Sequence, residues 1–306
     1  MWWRPLCVLL AILAVAPGGG SASADPIGAP SGLFDVGGGR RLYLDCQGAG
    51  VPTVFIIPGK GSYAEAWNVV VPPDDPVRSS PYDLIEQAKL GHSPDAVQPT
   101  GAHTTRVCAY DRPNTRPDGR DLSTPVPQPH SVQQDVDDAV ALIAAAQLAG
   151  PFVVVAHSYG GLVADLRART HPELVAGLVM VDPTSEFLPA LGSPAQNAAF
   201  NADGLVPPEP GGEAVLFDDA FARINAAPPL PRVPAVVVSS DKFAPPEKLT
   251  PDSYTLAQIH EANDMLAAAL DTTNVVANGG GHSIMLYQLQ FVADKIITTV
   301  RAAADR

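Results

Sequence analysis

Residues 152–162 read FVVVAHSYGGL, and the fold follows from how this stretch must bend. A β-branched run bounded by Pro151 reads as a fully buried strand. Ser158-Tyr159-Gly160-Gly161 comes next, and a helical pattern runs from Leu162 to Thr170. A sharp strand-to-helix turn holds a serine hydroxyl proud of a sheet. It also crowds the residues two before and two after the serine, so both must be small. Gly160 meets that need on one side and Ala156, where glycine is usual, on the other. The helix that follows points its positive end at the same place, which favours developing negative charge. Ser158 is therefore a candidate nucleophile.

Working outward, short apolar runs alternate with helical patterns, the signature of a parallel sheet covered by helices. Residues 33–36 and 41–46 flank three glycines and read as an opening hairpin. Strands are expected at 53–57, 106–110, 177–181, 235–238 and 274–277. Ser131 with Gln134 forms a capping box for a helix lined by Val132, Val136, Val140 and Ile143, with Gly150 placed to end it. Leu256, Ile259, Leu266 and Leu270 mark a further helix, and residues 284–302 a last one. Two stretches break the rhythm. Residues 72–105 are rich in Pro, Asp and Ser, with a short helical turn expected at 82–89. Residues 184–231 carry many prolines, with a helix signal at 217–224. Loops this long inside a domain are usually functional or disordered, and both fall where a lid or cap would be inserted.

A serine nucleophile needs a base, an orienting acid and an oxyanion hole. His282 follows Gly279-Gly280-Gly281 just after the last strand, where a glycine loop can carry an imidazole over Ser158. His92, His103 and His130 precede the nucleophile, His157 adjoins it and is read as pointing elsewhere, and His171 and His260 belong to helices. For the acid, Asp241 closes VVVSSD after the strand at 235–238, the usual place. Asp182 closes LVMVDP one strand earlier and is the alternative, with Glu186 behind it. The oxyanion donors are expected to be the Tyr159 N–H and the Lys60 N–H, the latter from PGKG at 58–61. Pro58 lacks an N–H, and the glycines let backbone approach a ligand. GKGS lacks the spacing of a phosphate loop.

The 306 residues carry 19 basic and 32 acidic side chains, which argues against nucleic acid and anionic membrane surfaces as partners. Residues 1–24 have the order of a secretory signal: Arg4, an apolar run at 6–16 too short to span a bilayer, and small residues ending at Ala24. Its removal would take Arg4 and no acid, leaving a formal charge of −14, and residues 25–306 as one domain. Secretion and no stable membrane insertion are the expectation. Cys7 would leave with the signal, and Cys46 and Cys108 remain as an even pair in an oxidising compartment, which suggests a disulfide. No cysteine and histidine spacing suits a metal site.

CQGAGVPTVFIIPGKG, RVCAYDRP, VVVAHSYGGLVADLRARTHPELVAGLVMVDPTSE and GGGHSIMLYQ, in that order, resemble the α/β-hydrolase superfamily, most nearly its secreted bacterial members of actinobacterial type. The resemblance covers residues 33–72, 106–186 and 232–302. It implies a mostly parallel sheet of about eight strands flanked by helices, no cofactor or metal, and a small-molecule ester as substrate. It places Ser158 as nucleophile, His282 as base, Asp241 as acid, and Tyr159 and Lys60 as oxyanion donors. Pro58-Gly59 departs from the His-Gly usual in that loop, and Asp111 matches a generally structural position. In this fold the segments carrying Cys46 and Cys108 can be sheet neighbours, close enough for a bridge. Peptidase or amidase action with the same triad, and a silent secreted binding protein, are the competing readings. An aspartate where Ser158 stands would be needed for dehalogenation.

Overall fold

Alternating side chains on each strand face two layers of helix, and that alternation builds the molecule. The computed structural model describes residues 29–116 and 123–306. The expected leader, 1–24, lies outside the described residues. Eight strands form one sheet: β1 (Ser31–Gly37), β2 (Arg40–Gln47), β3 (Val54–Ile57), β4 (Val107–Asp111), β5 (Phe152–His157), β6 (Val175–Val181), β7 (Ala235–Ser240) and β8 (Asn274–Ala277). Their order across the sheet is β1-β2-β4-β3-β5-β6-β7-β8, antiparallel at the β1-β2-β4 edge and parallel from β4 to β8. This is the fold class expected from the sequence.

The helices are α1 (Val97–Ala102), α2 (Val132–Ala145), α3 (Gly160–Thr170), α4 (Leu188–Leu191), α5 (Pro194–Gly204), α6 (Phe217–Ala226), α7 (Leu256–Ala269), α8 (Ile284–Tyr287) and α9 (Leu289–Ala304). Phe55, Ile57, Val154 and Ala156 face α2, α3 and α7 in one core. Val54, Ile56, Val153 and Val155 face α1, α8 and α9 in the other. Period-two alternation thus divides each β-branched run between the two faces. Ser131 caps α2 by accepting the Gln134 N–H at 3.3 Å, but α2 ends at Ala145, before Gly150.

The two irregular stretches hold more structure than their composition suggests. The segment 72–105 contains single helical turns at Pro76–Ser79 and Ile85–Gln87, then α1. The segment 184–231 contains α4, α5 and α6. The α5 signal was present in the sequence as Ser193-Pro194 with Gln196, a capping box with proline in the first turn.

Cys46 and Cys108 stand opposite each other in the β2–β4 register and are bonded, with Cα atoms 4.0 Å apart. The bridge joins positions 62 residues apart across the insertion that carries α1.

Candidate active site

After β3 the chain continues to β4 on one side of β3, while β5 lies on the other side of it. Beyond the carboxyl ends of β3 and β5 such a switch leaves a crevice, the usual ligand site of open α/β sheets. The 58–61 loop leaves β3 there, and Ser158 leaves β5. Ser158 has φ +52°, a left-handed conformation that lifts its side chain out of the strand. The turn works only without bulk beside it. A Cβ on Gly160 would come within 2.4 Å of the Ile57 carbonyl oxygen, and one on Gly59 within 3.0 Å of the Ser158 Cβ.

The His282 Nε2 lies 2.9 Å from the Ser158 Oγ, and its Nδ1 lies 2.6 Å from the Asp182 Oδ2. Asp182 also accepts the Ser240 N–H and hydroxyl, each at 2.9 Å. Burial alone would raise the Asp182 pKa, but the bonds from His282 and Ser240 outweigh it and hold the carboxyl below its ordinary value. Burial likewise lowers the His282 pKa, and the Asp182 carboxylate, with Asp83 behind it, more than reverses this. The outer edge of the His282 ring stays open, its side chain 51% exposed.

The expectation that Asp241 orients His282 is corrected by this geometry. The Asp241 Oδ2 accepts the Gly279 N–H at 2.7 Å, and the Asp241 and Lys242 N–H groups both donate to the Gly280 carbonyl. Asp241 therefore pins the start of the glycine loop, which carries His282 back over the end of β6. Glu186 is not beside His282 either. It pairs with Arg169 at 2.7 Å, and burial together with Asp165 pushes its pKa up to about 9.

The peptide of His282 is held on both sides by residues that sequence reading did not assign. Asp83, from the 72–105 insertion, accepts the His282 N–H at 2.7 Å and the Tyr287 hydroxyl at 3.1 Å. Gly281 must lack a side chain, because a Cβ would lie 2.3 Å from that carboxylate. On the other side the His157 Nε2 donates to the His282 carbonyl at 2.9 Å. His157 thus points away from Ser158 and towards the His282 backbone. Burial, and then repulsion from His282, push the His157 pKa down to about 3, so it stays neutral.

Beneath the 58–61 loop lies a buried charge network. Arg112 donates to the Pro58 and Gly59 carbonyls, both at 2.6 Å, and to both oxygens of Glu213. A trans peptide points its N–H opposite its C=O. Pinning the Gly59 carbonyl on Arg112 therefore aims the Lys60 N–H the other way, out of the network. Neither the Lys60 nor the Tyr159 amide makes a hydrogen bond among the described residues. The Lys60 ammonium instead donates to the Asp203 and Val206 carbonyls at 2.7 and 2.8 Å, tying the loop to the end of α5.

The profile of the Alpha/beta hydrolase family matches residues 54–295. The chain belongs to this family. A curated relative, an uncharacterized protein of Schizosaccharomyces pombe, is 32% identical over 51% of this chain. The match spans 29% of that protein's length. Among solved structures, this alpha/beta hydrolase resembles Est1E of Butyrivibrio proteoclasticus with ferulic acid bound (TM-score 0.56, 14% identity, 90% of this chain and 99% of that one). It also resembles a thermophilic esterase of Thermogutta terrifontis (0.52, 17%, 90% and 99%). A putative lipase of Acinetobacter baumannii is a third (0.55, 16%, 91% and 93%). At such identities these likenesses speak for the fold.

Among the described residues of this alpha/beta hydrolase, one group has the spacing of a metal site. Ligand atoms of His130, Asp135 and Glu213 lie within 4.8 Å of one another. Each of the three already has hydrogen-bond partners within the protein. Gln128 Oε1 accepts the Ala214 N–H, so the His130 Nδ1, 3.0 Å away, must donate to it as well. The His130 Nε2 lies 2.9 Å from the Asp135 Oδ1, making both ring nitrogens donors and the ring cationic. Burial opposes that charge, yet Asp135 raises the His130 pKa. Two cations, Arg112 and His130, thus balance Asp135 and Glu213. The Tyr159 hydroxyl donates to Asp135 at 2.6 Å, joining the residue after Ser158 to the same network.

The cavity above Ser158 has a volume of about 340 Å³. Leu188, Phe200, Phe217, Phe243 and Ile259 form its apolar wall, and Lys60, Asp83 and Lys242 are among its polar borders.

Proposed function

We propose that this alpha/beta hydrolase cleaves carboxylic esters through an acyl-enzyme on Ser158, with Asp182 as the orienting acid. The observation that carries this reading is the continuous line from the Ser158 Oγ through His282 to Asp182, at 2.9 and 2.6 Å. Both contacts are hydrogen bonds, and the acid end is buried. His282 takes the Ser158 proton as the oxygen attacks the ester carbonyl, and then gives it to the departing alcohol. Water, activated by the same nitrogen, releases the acid product. The Tyr159 and Lys60 N–H groups receive the oxyanion, a role supported by the pinned Gly59 carbonyl and by the start of α3 behind Tyr159. Asp182 keeps the imidazole in the tautomer that presents a bare Nε2 to the serine. An ester is preferred to an amide by analogy with esterases of the same fold.

Residues 72–105 and 184–231 act as lid and cap in this reading, since Asp83 and the wall residues Leu188, Phe200 and Phe217 come from them. The disulfide suits export to an oxidising compartment after removal of residues 1–24. No described helix is long and apolar enough to cross a membrane. The deciding experiment pairs fluorophosphonate labelling with hydrolysis of p-nitrophenyl butyrate, for the wild type and Ser158→Ala. The substitution should abolish labelling and lower kcat by at least about ten-thousandfold with unchanged melting. Labelling that persists would place the nucleophile elsewhere.

A further inference from the structure

The catalytic cavity shares its apolar wall with a second space. Behind Leu188, Phe200, Phe243 and Ile259 lies a groove of about 390 Å³, bounded farther out by Ala199 and Leu249. The four wall side chains face both spaces, so a layer one side chain thick divides them. Phe200, on α5, is part of that layer and makes no side-chain hydrogen bond. Its ring packs against Phe217, Tyr254 and Phe221, with centroids at 4.4, 5.5 and 6.5 Å. Turning its ring therefore breaks no hydrogen bond.

Charge and exposure select the occupant. The cations nearest the wall are engaged, Lys60 by two carbonyls and Lys248 by Glu86, and Asp203 and Asp252 border the groove. An anionic tail would meet these acids with no free cation beside them. The alcohol departs beside His282, whose side chain is half exposed, which leaves the apolar wall of the cavity for the acyl chain.

We propose that the groove is a distal subsite for the end of a long, uncharged acyl chain whose carbonyl is seated at Ser158. This rests on the reading of Ser158 as nucleophile. Short acyl chains fill the catalytic cavity alone. Longer ones displace Phe200 and continue beyond it, each buried methylene strengthening binding about fourfold.

The test compares p-nitrophenyl butyrate and dodecanoate for wild type, Ala199→Trp and Leu249→Asp. The first substitution fills the groove, and the second puts a charge into it at a position 37% exposed, where folding tolerates it. Each should lower kcat/KM for dodecanoate by about tenfold or more and leave butyrate hydrolysis unchanged. Equal losses on both esters, or none on dodecanoate, would overturn the subsite. Loss confined to long-chain alkyl acetates would move the occupant to the alcohol side and overturn the acyl assignment. Calorimetric binding of dodecanoate to Ser158→Ala, with and without Ala199→Trp, reads the groove apart from catalysis. Binding lost with tryptophan supports the groove even where no ester is hydrolysed, an outcome that sinks the esterase reading alone. Binding that survives the tryptophan overturns the groove.

Discussion

The ends of β6 and β7 look alike in sequence and serve different purposes in space. Each is an apolar run closed by an aspartate, LVMVD at 178–182 and VVVSSD at 236–241. Asp182 takes a left-handed conformation, φ +41°, and its carboxylate faces His282. Asp241 lies one strand farther out, and its carboxylate accepts a backbone N–H of the loop that brings His282 in. One aspartate orients the ring, and the other orients the loop that bears the ring. Two identical groups at neighbouring strand ends thus diverge because the chain between β8 and α8 folds back across β7.

The sharpest way to break this comparison is to neutralise each aspartate. Asp182→Asn should lower kcat by about a thousandfold to ten-thousandfold, as expected when the base is left in the wrong tautomer. Asp241→Asn should cost less than about tenfold, because the loop keeps an acceptor for Gly279. Steady-state kinetics on a short ester checks both, and the reverse ranking would return the acid to β7.

The pH profile sharpens the same contrast. The His282 pKa is raised, so kcat/KM should fall with acidification through a midpoint above the ordinary imidazole value of about 6.5. Removing the Asp182 charge removes the main raising influence, and residual activity of Asp182→Asn should hold to lower pH. Asp241→Asn should leave the midpoint where it was. A midpoint that moves with Asp241 and not with Asp182 would reverse their assignments.

Asp83 offers a third and smaller probe. Asp83→Asn keeps an oxygen for the His282 N–H but loses a charge that helps raise the imidazole. Activity should drop by about tenfold or less, with the acid midpoint moving down by less than in Asp182→Asn. A purely structural role would leave that midpoint in place. The groups facing His282 are Asp182, Asp83, Ser158 and the neutral His157.

The least effect on chemistry is expected at the disulfide. Cys46→Ser with Cys108→Ser should lower stability by up to about 4 kcal/mol on the chain-entropy account and leave kcat of the folded enzyme unchanged. Denaturant unfolding checks the first, and alkylation without reductant checks the bond itself. Two alkylated cysteines in the folded protein would rule it out.

The sequence alone determined what local rules govern. A run of valines, a serine and two glycines followed by a helical pattern reads as a strand turning sharply into a helix, because backbone crowding there favours residues without bulk. The strand and helix periods carried the sheet and its two covering layers, and the pairing of Cys46 with Cys108 followed once their strands were neighbours. The tertiary structure decided whatever depended on where loops land. It set Asp182 rather than Asp241 beside the His282 ring, brought Asp83 from an irregular insertion to the His282 backbone, and set Arg112 beneath the 58–61 loop. Strands and tight turns are legible because their forces act between near neighbours. A carboxylate meeting a histidine 100 residues away depends on the path of a glycine loop, and local patterning does not encode that path.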